Sequence, residues 1–171
     1  MTRADVVIRP EQHGDHAGIT ELLNAAFAGL VEADLVARLR ADNDIVLAMV
    51  AVAADGAIAG YVACPRLQLM QDDQSIPVAG VAPLAVAPTR QRSGIGGALM
   101  AESLERLRQQ GESLVFVLGD PAYYTRFGFD LAAAEPFASD YAGPHFMALA
   151  LCPDAPANGR LIYPRAFSEL G

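Results

Sequence analysis

The chain begins with a short apolar run, after which apolar positions recur with the period of a helix. Residues 5–9 (DVVIR) form a short apolar run that Pro10 ends, which predicts a first strand. A helix is expected next, capped by Asp15 or a near neighbour, because apolar residues then recur at helical spacing. The side of this helix that we expect to face the core carries Ile19, Leu22, Leu23, Ala26 and Phe27.

Two apolar runs of strand length follow a second short helix, which is predicted over residues 32–42 (EADLVARLRAD). The runs cover residues 45–53 and 58–69, and the turn ADGA at 54–57 separates them. Apolar runs on both sides of an Asp-Gly turn are typical of a β-hairpin. The pattern therefore predicts a pair of antiparallel strands.

The segment 76–87, which follows the polar turn QDDQS, is almost wholly apolar, as a strand buried on both faces would be. Pro83 lies inside this segment, and proline has no N–H group to give to the hydrogen-bond ladder of a sheet. Pro83 therefore marks a bulge, or a place where the neighbouring strand separates.

A longer helix is predicted from Gly94 to Gln110, with Gly111 as its C-terminal cap. The segment SLVFVLG (113–119) after it is a further strand, so a strand, a helix and a strand follow one another and form a crossover. One face of the helix carries Leu99, Met100, Ser103, Leu104 and Leu107.

The segment DPAYYTRFGF has the start and stop signals of a short helix. Asp120 is the predicted N-cap, Pro121 holds the first helical position, and Gly128 ends the helix before two turns are complete. The clearest later strand is FMALAL, at residues 146–151. The whole order predicts an α+β fold with a mixed, mostly antiparallel central sheet.

Composition narrows the class of protein. A chain of 171 residues with 53% hydrophobic content has the size of one domain, so we expect a single unit over residues 1–171. The net charge of −8 at pH 7 argues against a nucleic acid or an anionic membrane as a partner, because both need a basic surface. The sequence has no apolar signal region and no membrane-length run, which predicts a soluble cytoplasmic protein.

Residue usage also limits the chemistry of the chain. All twelve basic residues are arginine, which excludes a catalytic lysine. Cys64 and Cys152 form no CxxC motif, and we expect two reduced, mostly buried thiols. His13 and His16 with Glu11 have a spacing that could hold a metal, but no further ligand cluster accompanies them, so no metal site is predicted.

The glycine-rich stretch QRSGIGGAL between a strand and a helix is typical of an anion site. A P-loop requires GxxxxGK, which a chain without lysine lacks. A dinucleotide fingerprint requires GxGxxG, but the third glycine position after Gly94 and Gly96 holds Leu99. A turn that binds nothing is the structural alternative.

The stretch fits a different pattern, Q/R-x-x-G-x-G/A, filled by Gln91, Gly94 and Gly96. This pattern, with the strand before it, the helix after it and the tyrosine of YTRFGF (124–129), resembles the acyl-CoA signature of the GNAT acetyltransferase superfamily. The run DPAYYTRFGF is similar to a branch of small bacterial acetyltransferases that share a PAYY-x-RFGF element. The specific part of the resemblance covers residues 82–130.

The resemblance implies a GNAT-like sheet whose fourth and fifth strands splay apart, with acetyl-CoA as acyl donor. The pantetheine arm then lies in the gap against the backbone of the strand before the loop, and the pyrophosphate lies against amides and arginines at the start of the helix. The residues that this places at the cofactor are Leu84, Ala85, Val86, Arg90, Gln91, Arg92, Ser93, Gly94, Ile95, Gly96 and Gly97.

The resemblance also implies direct transfer of an acetyl group to an amine in a ternary complex. Tyr124 matches the tyrosine that acts as general acid or as hydrogen-bond partner of the sulfur, and we assign Tyr123 and Phe127 to packing. The acceptor is a small-molecule or peptide amine, and a homodimer is possible. A CoA-binding sensor without turnover is the rival function.

The general base stays open at this point, because the apolar strand 76–87 has no ionisable side chain where many superfamily members place one. The residues that are eligible by position are Glu32, Asp34, Asp72, Asp73 and His145.

Overall fold

The computed structural model describes residues 5–169. Its helices are α1 (His16–Phe27), α2 (Val31–Ala41), α3 (Ile95–Gln109), α4 (Pro121–Tyr124), α5 (Leu131–Ala134) and α6 (Arg165–Ser168). Its strands are β1 (Val6–Pro10), β2 (Ile45–Ala53), β3 (Ile58–Gln71), β4 (Gln74–Val81), β5 (Leu84–Val86), β6 (Leu114–Leu118), β7 (Phe137–Ala138), β8 (Phe146–Ala150) and β9 (Gly159–Ile162). Short 3-10 helices cover His13–Asp15, Pro88–Arg90 and Thr125–Phe127.

The strands form one open sheet in the order β1-β2-β3-β4-β6-β8, with β5 and β9 paired to the long strand β3. Neighbouring strands are antiparallel except for β4 with β6 and β7 with β9. The parallel pair follows from the crossover through α3, because a helix must carry the chain back before a parallel strand can begin. The predicted α+β fold with a mostly antiparallel sheet is confirmed.

The predicted strand 76–87 is two strands separated by a bulge. Val62 is opposite Leu84 and Arg66 is opposite Ala79, so β3 has three residues between these pairs where its partner has four. The extra residue lies at Ala82–Pro83, since Ala63 accepts a hydrogen bond from Ala82 N–H and donates one to the Pro83 carbonyl.

The bulge separates two regions with different neighbours. β4 pairs with β6 at residues 79–81, whereas β5 pairs, within residues 5–169, with β3 alone. A gap therefore opens between β5 and β6. The predicted fourth strand (76–87) contains β5 and the predicted fifth strand (113–119) contains β6, so this gap is the splay that was predicted between them.

Helices cover both faces of the sheet. The predicted apolar face of α3 packs on one side in a cluster that includes Met49, Val62, Val117, Leu99, Met100, Leu104 and Leu107. On the other side, α1 and α2 contribute to a cluster that includes Ile19, Leu22, Leu23, Val36, Val50, Tyr61 and Ala85. Neighbouring β3 residues such as Tyr61 and Val62 enter opposite clusters because side chains alternate along a strand.

Three predictions of burial are wrong or hold only in part. Phe27 is 40% exposed, because it lies at the last position of α1, beyond the sheet that Leu22 and Leu23 cover. Cys152 is exposed in the segment after β8, whereas Cys64 on the central strand β3 is buried as predicted. The strand before the bulge is also buried only in its second half, from Val78 to Val81.

No helix in the described part of the chain has the length and apolar content needed to span a membrane. Across residues 5–169 there is also no group of three or more His, Cys, Asp or Glu side chains that could hold a metal ion.

Candidate functional site

The N-terminus of α3 presents backbone amides at its exposed start. Gly94 precedes the helix with a φ of +88°, a left-handed conformation that glycine adopts without steric cost. The bond from Ala98 N to Gly94 O spans 3.0 Å and is the first of the helix. The amides of Ile95, Gly96 and Gly97 therefore have no acceptor within the helix. They lie at its N-terminus, where the helix dipole favours an anion.

A pocket of about 400 Å³ lies directly beside this helix start. Strand β5, the loop after it and the segment after β6 form its walls. The predicted cofactor residues that line it are Leu84, Val86, Gln91, Arg92, Gly94, Gly96 and Gly97. The loop and the strand before it thus meet at one cavity, as the signature predicted.

Four of the predicted cofactor residues do not line this pocket: Ala85, Arg90, Ser93 and Ile95. Ala85 and Ile95 bury their side chains in the two clusters on opposite faces of the sheet. Ser93 donates a hydrogen bond from its hydroxyl to the carbonyl of Arg90, which closes the turn before the helix. These residues shape the loop from within, although the amide of Ile95 still belongs to the helix start.

The backbone of β5 has one edge directed into the gap. The bonds from Ala63 N to Pro83 O and from Ala87 N to Ala59 O show that residues 83 and 87 bond to β3. Because bonding direction alternates along an antiparallel ladder, Ala85 also bonds to β3, and Leu84 and Val86 point away from it. Of the three predicted backbone contacts, Ala85 is thus excluded, and Leu84 and Val86 remain. The Val86 carbonyl already accepts a hydrogen bond of 3.2 Å from Gln91 Nε2.

Tyr123 and Arg126 also line the pocket, which the sequence analysis missed. A Cβ atom at Gly96 would lie 2.6 Å from the Tyr123 hydroxyl oxygen, so this hydroxyl stands over the helix start. The Arg126 guanidinium lies 4.4 Å from the centre of the Tyr123 ring, and its Nε donates to the Tyr123 carbonyl. Tyr123 therefore lines the pocket while its ring also packs edge-to-face on Tyr124 and Phe127, as predicted. Phe127 contributes partly buried packing against the core.

A signal for Arg126 was present in the sequence. It lies three residues after Tyr123 in a helical segment, and residues at this spacing share one face of a helix. Arg126 adds a second positive charge to the pocket, after that of Arg92. The chain as a whole is acidic, with a net charge of −8.

Tyr124 does not line the pocket, but its ring lies edge-to-face against that of the pocket residue Tyr123, with 5.0 Å between the ring centres. It is the last residue of α4, whose N-cap Asp120 accepts a bond from Ala122 N at 3.0 Å, as predicted. A Cβ atom at Gly119 would overlap the edge of the Tyr124 ring, so only the bare backbone of a glycine lets the ring lie there. Burial, followed by the nearby Tyr123, raises the pKa of Tyr124 to about 12. The hydroxyl therefore keeps its proton at neutral pH and can donate a hydrogen bond.

The five candidate bases lie in different parts of the structure. Asp72 and Asp73 lie in the turn between β3 and β4, at the opposite end of β3 from β5. Asp34 pairs with Arg38 at 2.8 Å, and Glu32 lies in the first turn of α2. His145 is next to the gap, since its Nδ1 lies 3.3 Å from the carbonyl of Gly119.

Comparison with known proteins agrees with this geometry. The sequence model of the family described as an acetyltransferase (GNAT) domain matches residues 7–132. The uncharacterized N-acetyltransferase YhbS of Escherichia coli is 40% identical over 128 residues, which cover 75% of this chain and 75% of that protein. The chain belongs to the GNAT acetyltransferase family.

Solved structures of relatives have the same fold over nearly the whole chain. The crystal structure of YhbS from Escherichia coli in complex with CoA has a TM-score of 0.90 at 34% identity and covers 98% of this chain and 94% of that one. A GNAT family acetyltransferase from Brucella melitensis in complex with acetyl-CoA has a TM-score of 0.80 at 34% identity, with 95% and 97% covered. The GNAT-like sheet predicted from the sequence is confirmed.

Proposed function

We propose that this chain, as a single domain, transfers an acetyl group from acetyl-CoA to an amine. The observation that carries the proposal is the pocket that joins the amides of the α3 start, two arginines and the outward edge of β5. Each wall matches one part of an acyl-CoA molecule. The CoA and acetyl-CoA complexes of the two structural relatives support the same ligand.

The start of α3 is suited to a pyrophosphate. The amides of Ile95, Gly96 and Gly97 point out of the helix, and Gly96 has no side chain between them and the pocket. Arg92 and Arg126, which both line the pocket, add charge-assisted bonds to phosphate oxygens. The negative ligand is thus held by local groups in a chain of net charge −8.

The edge of β5 is suited to a pantetheine arm. Leu84 directs its N–H and carbonyl into the gap, where an extended amide chain can bond to them as a partial strand. This contact leads from the phosphates at α3 toward Gly119 and Tyr124. The fixed backbone positions the ligand, whatever the side chains of the strand are.

Acetyl-CoA supplies an activated acyl group as a thioester. At the inner end of the gap, the Tyr124 hydroxyl donates a hydrogen bond to the sulfur as negative charge grows there, and then gives up its proton. The acceptor is a small-molecule or peptide amine that enters from the open mouth of the gap.

The test is to mix the protein with acetyl-CoA and a panel of amines and to follow free thiol, with acetylated amine measured by mass spectrometry. The panel contains spermidine, glycinamide and a short lysine-containing peptide. We expect equal amounts of thiol and acetylated product with at least one amine. Binding of acetyl-CoA without transfer to any amine would instead support the sensor.

A further inference from the structure

The contacts of Gly119 bring a tyrosine and a histidine to the same place in the sheet gap. Leu118 is opposite Phe146 in the antiparallel pair of β6 and β8, and Gly119 N–H donates a bond of 3.0 Å to the His145 carbonyl. The ladder therefore continues by one step, and Gly119 lies directly across from His145.

Gly119 lies beside both side chains. An added Cβ atom at Gly119 would overlap the Tyr124 ring, which packs against the cluster beneath α3 together with Val117 and Met147. Gly119 and His145 each lie one residue beyond the paired strands β6 and β8, so the alternation of side chains along a strand does not decide where the imidazole lies. The contact of its Nδ1 with the Gly119 carbonyl, at 3.3 Å, places the imidazole beside Gly119.

The hydrogen bond of His145 determines which ring nitrogen carries the proton. The Gly119 carbonyl can only accept, so Nδ1, 3.3 Å away, carries the hydrogen and donates it. In the neutral imidazole the lone pair is then on Nε2. His145 is an exposed residue, so an amine that arrives from solvent can reach its imidazole.

We propose that His145 is the general base of the transfer, an inference that rests on the proposed function. Its Nε2 accepts the proton that the amine loses as the carbon–nitrogen bond forms. Tyr124 gives its proton to the sulfur, which keeps the electron pair of the breaking carbon–sulfur bond. The imidazolium then returns a proton to the Tyr124 phenolate, so both side chains regain their starting states and the amine proton ends on the thiol.

The surroundings of His145 contain few other groups that could take this role. Strand β6 has no ionisable side chain, and the ionisable side chains of the segment after it are Asp120, Tyr123, Tyr124 and Arg126. Asp120 is held at the start of α4 by its bond to Ala122 N. On the chain before β8, Asp140 lies 3.9 Å from Arg160, and Tyr141 lies edge-to-face against Tyr163. Imidazole is also the side chain that changes charge near neutral pH, as a base of this kind requires.

The test compares the wild type with His145→Gln and, as a matched control, with His13→Gln at an exposed histidine on the 3-10 helix after β1. Thiol release is followed against pH with spermidine, glycinamide and the lysine peptide, and acetyl-CoA affinity is measured by calorimetry. We expect His145→Gln to lower kcat/KM by about a hundredfold to ten-thousandfold and to remove the fall in rate at acid pH. Acetyl-CoA affinity stays unchanged, and added imidazole restores part of the rate of His145→Ala.

The outcomes separate this inference from the function on which it rests. An active wild type with an unaltered rate and pH profile in His145→Gln would overturn the role of His145 alone. The same holds if Glu32→Gln, and not His145→Gln, removes the acid limb of the profile. A wild type that transfers to none of the three amines contradicts the proposed function, and the base with it.

Discussion

The loop before α3 and the segment after β6 both line one pocket, but they contribute in different ways. The loop, residues 88–97, presents backbone groups, and its chemistry depends on the conformation of Gly94 and on the absence of a side chain at Gly96. The segment 119–129 presents side chains, and its chemistry depends on the rings of Tyr123 and Tyr124 and on the charge of Arg126. Under the proposed function, the loop controls affinity for acetyl-CoA and the segment controls the rate of transfer.

The largest expected effect is a loss of affinity in Gly96→Val. The valine would enter the space at the Tyr123 hydroxyl and cover the first amides of α3, and Tyr123 can move at the pocket surface without unfolding the protein. Hydrogen bonds to charged groups contribute about 1.5–3 kcal/mol each, so the loss of two raises the dissociation constant by about a hundredfold or more. Calorimetry measures this constant.

The control for Gly96→Val is Gly14→Val, at a glycine whose added Cβ would meet nothing within 4 Å. Its affinity for acetyl-CoA should equal that of the wild type. Normal affinity in Gly96→Val would show that the anion binds elsewhere.

The complementary change is Tyr124→Phe, which removes the hydroxyl and keeps the ring over Gly119. The rate of transfer should fall by about tenfold to a thousandfold, the range of general-acid catalysis, while the dissociation constant of acetyl-CoA stays the same. An interaction that strengthens as charge develops on sulfur appears in the rate and not in ground-state binding. Equal rates for the two proteins would reduce Tyr124 to a packing residue.

A change in the backbone beneath the ring should have a similar but smaller effect. In Gly119→Ala the new methyl group displaces the Tyr124 ring, and a misplacement of about 1 Å can cost up to a hundredfold in rate. The measurement is the steady-state rate with the amine found in the panel. If Gly119→Ala binds and transfers as the wild type does, the ring position has no part in the reaction.

The smallest effect is expected from Arg126→Ala. Loss of its charge from the pocket wall should weaken acetyl-CoA binding by roughly threefold to tenfold, and the difference should shrink at high salt because ions screen an exposed charge. Arg108→Ala is the matched control, since Arg108 lies near the other end of α3 and pairs with Glu105 at 2.9 Å. An effect that is independent of salt would argue that Arg126 acts by packing on Tyr123.

The site residues of the loop 88–97 could be predicted from the sequence more completely than those of the aromatic segment 119–129. Glycine spacing reports a backbone conformation directly, so Gln91, Gly94 and Gly96 could be placed at the site before the fold was known. The sequence could not show which backbone groups of β5 face the gap. Ala85 is turned toward β3 by a one-residue bulge, and the register of that bulge depends on a distant strand. The loop has positive φ values at Arg92 and Gly94, whereas Gly96 matters for the space beside it.

The side chains of the segment 119–129 depended on tertiary contacts. A short helix can point its residues in several directions, and the overlap of the Tyr124 ring with the Cβ position of Gly119 fixes the orientation that turns Tyr123 and Arg126 to the pocket. The sequence alone left His145 as one of five eligible bases. Only the pairing of β6 with β8 shows that it lies across from Gly119.

The most direct test of the account is the melting temperature of the wild type and of Gly96→Val with and without acetyl-CoA. A ligand that binds the folded state alone stabilises it by about 2.7 kcal/mol at a hundredfold excess over its dissociation constant. We predict that acetyl-CoA raises the melting temperature of the wild type and leaves that of Gly96→Val unchanged. A wild-type melting curve that millimolar acetyl-CoA and CoA both fail to move would contradict the account.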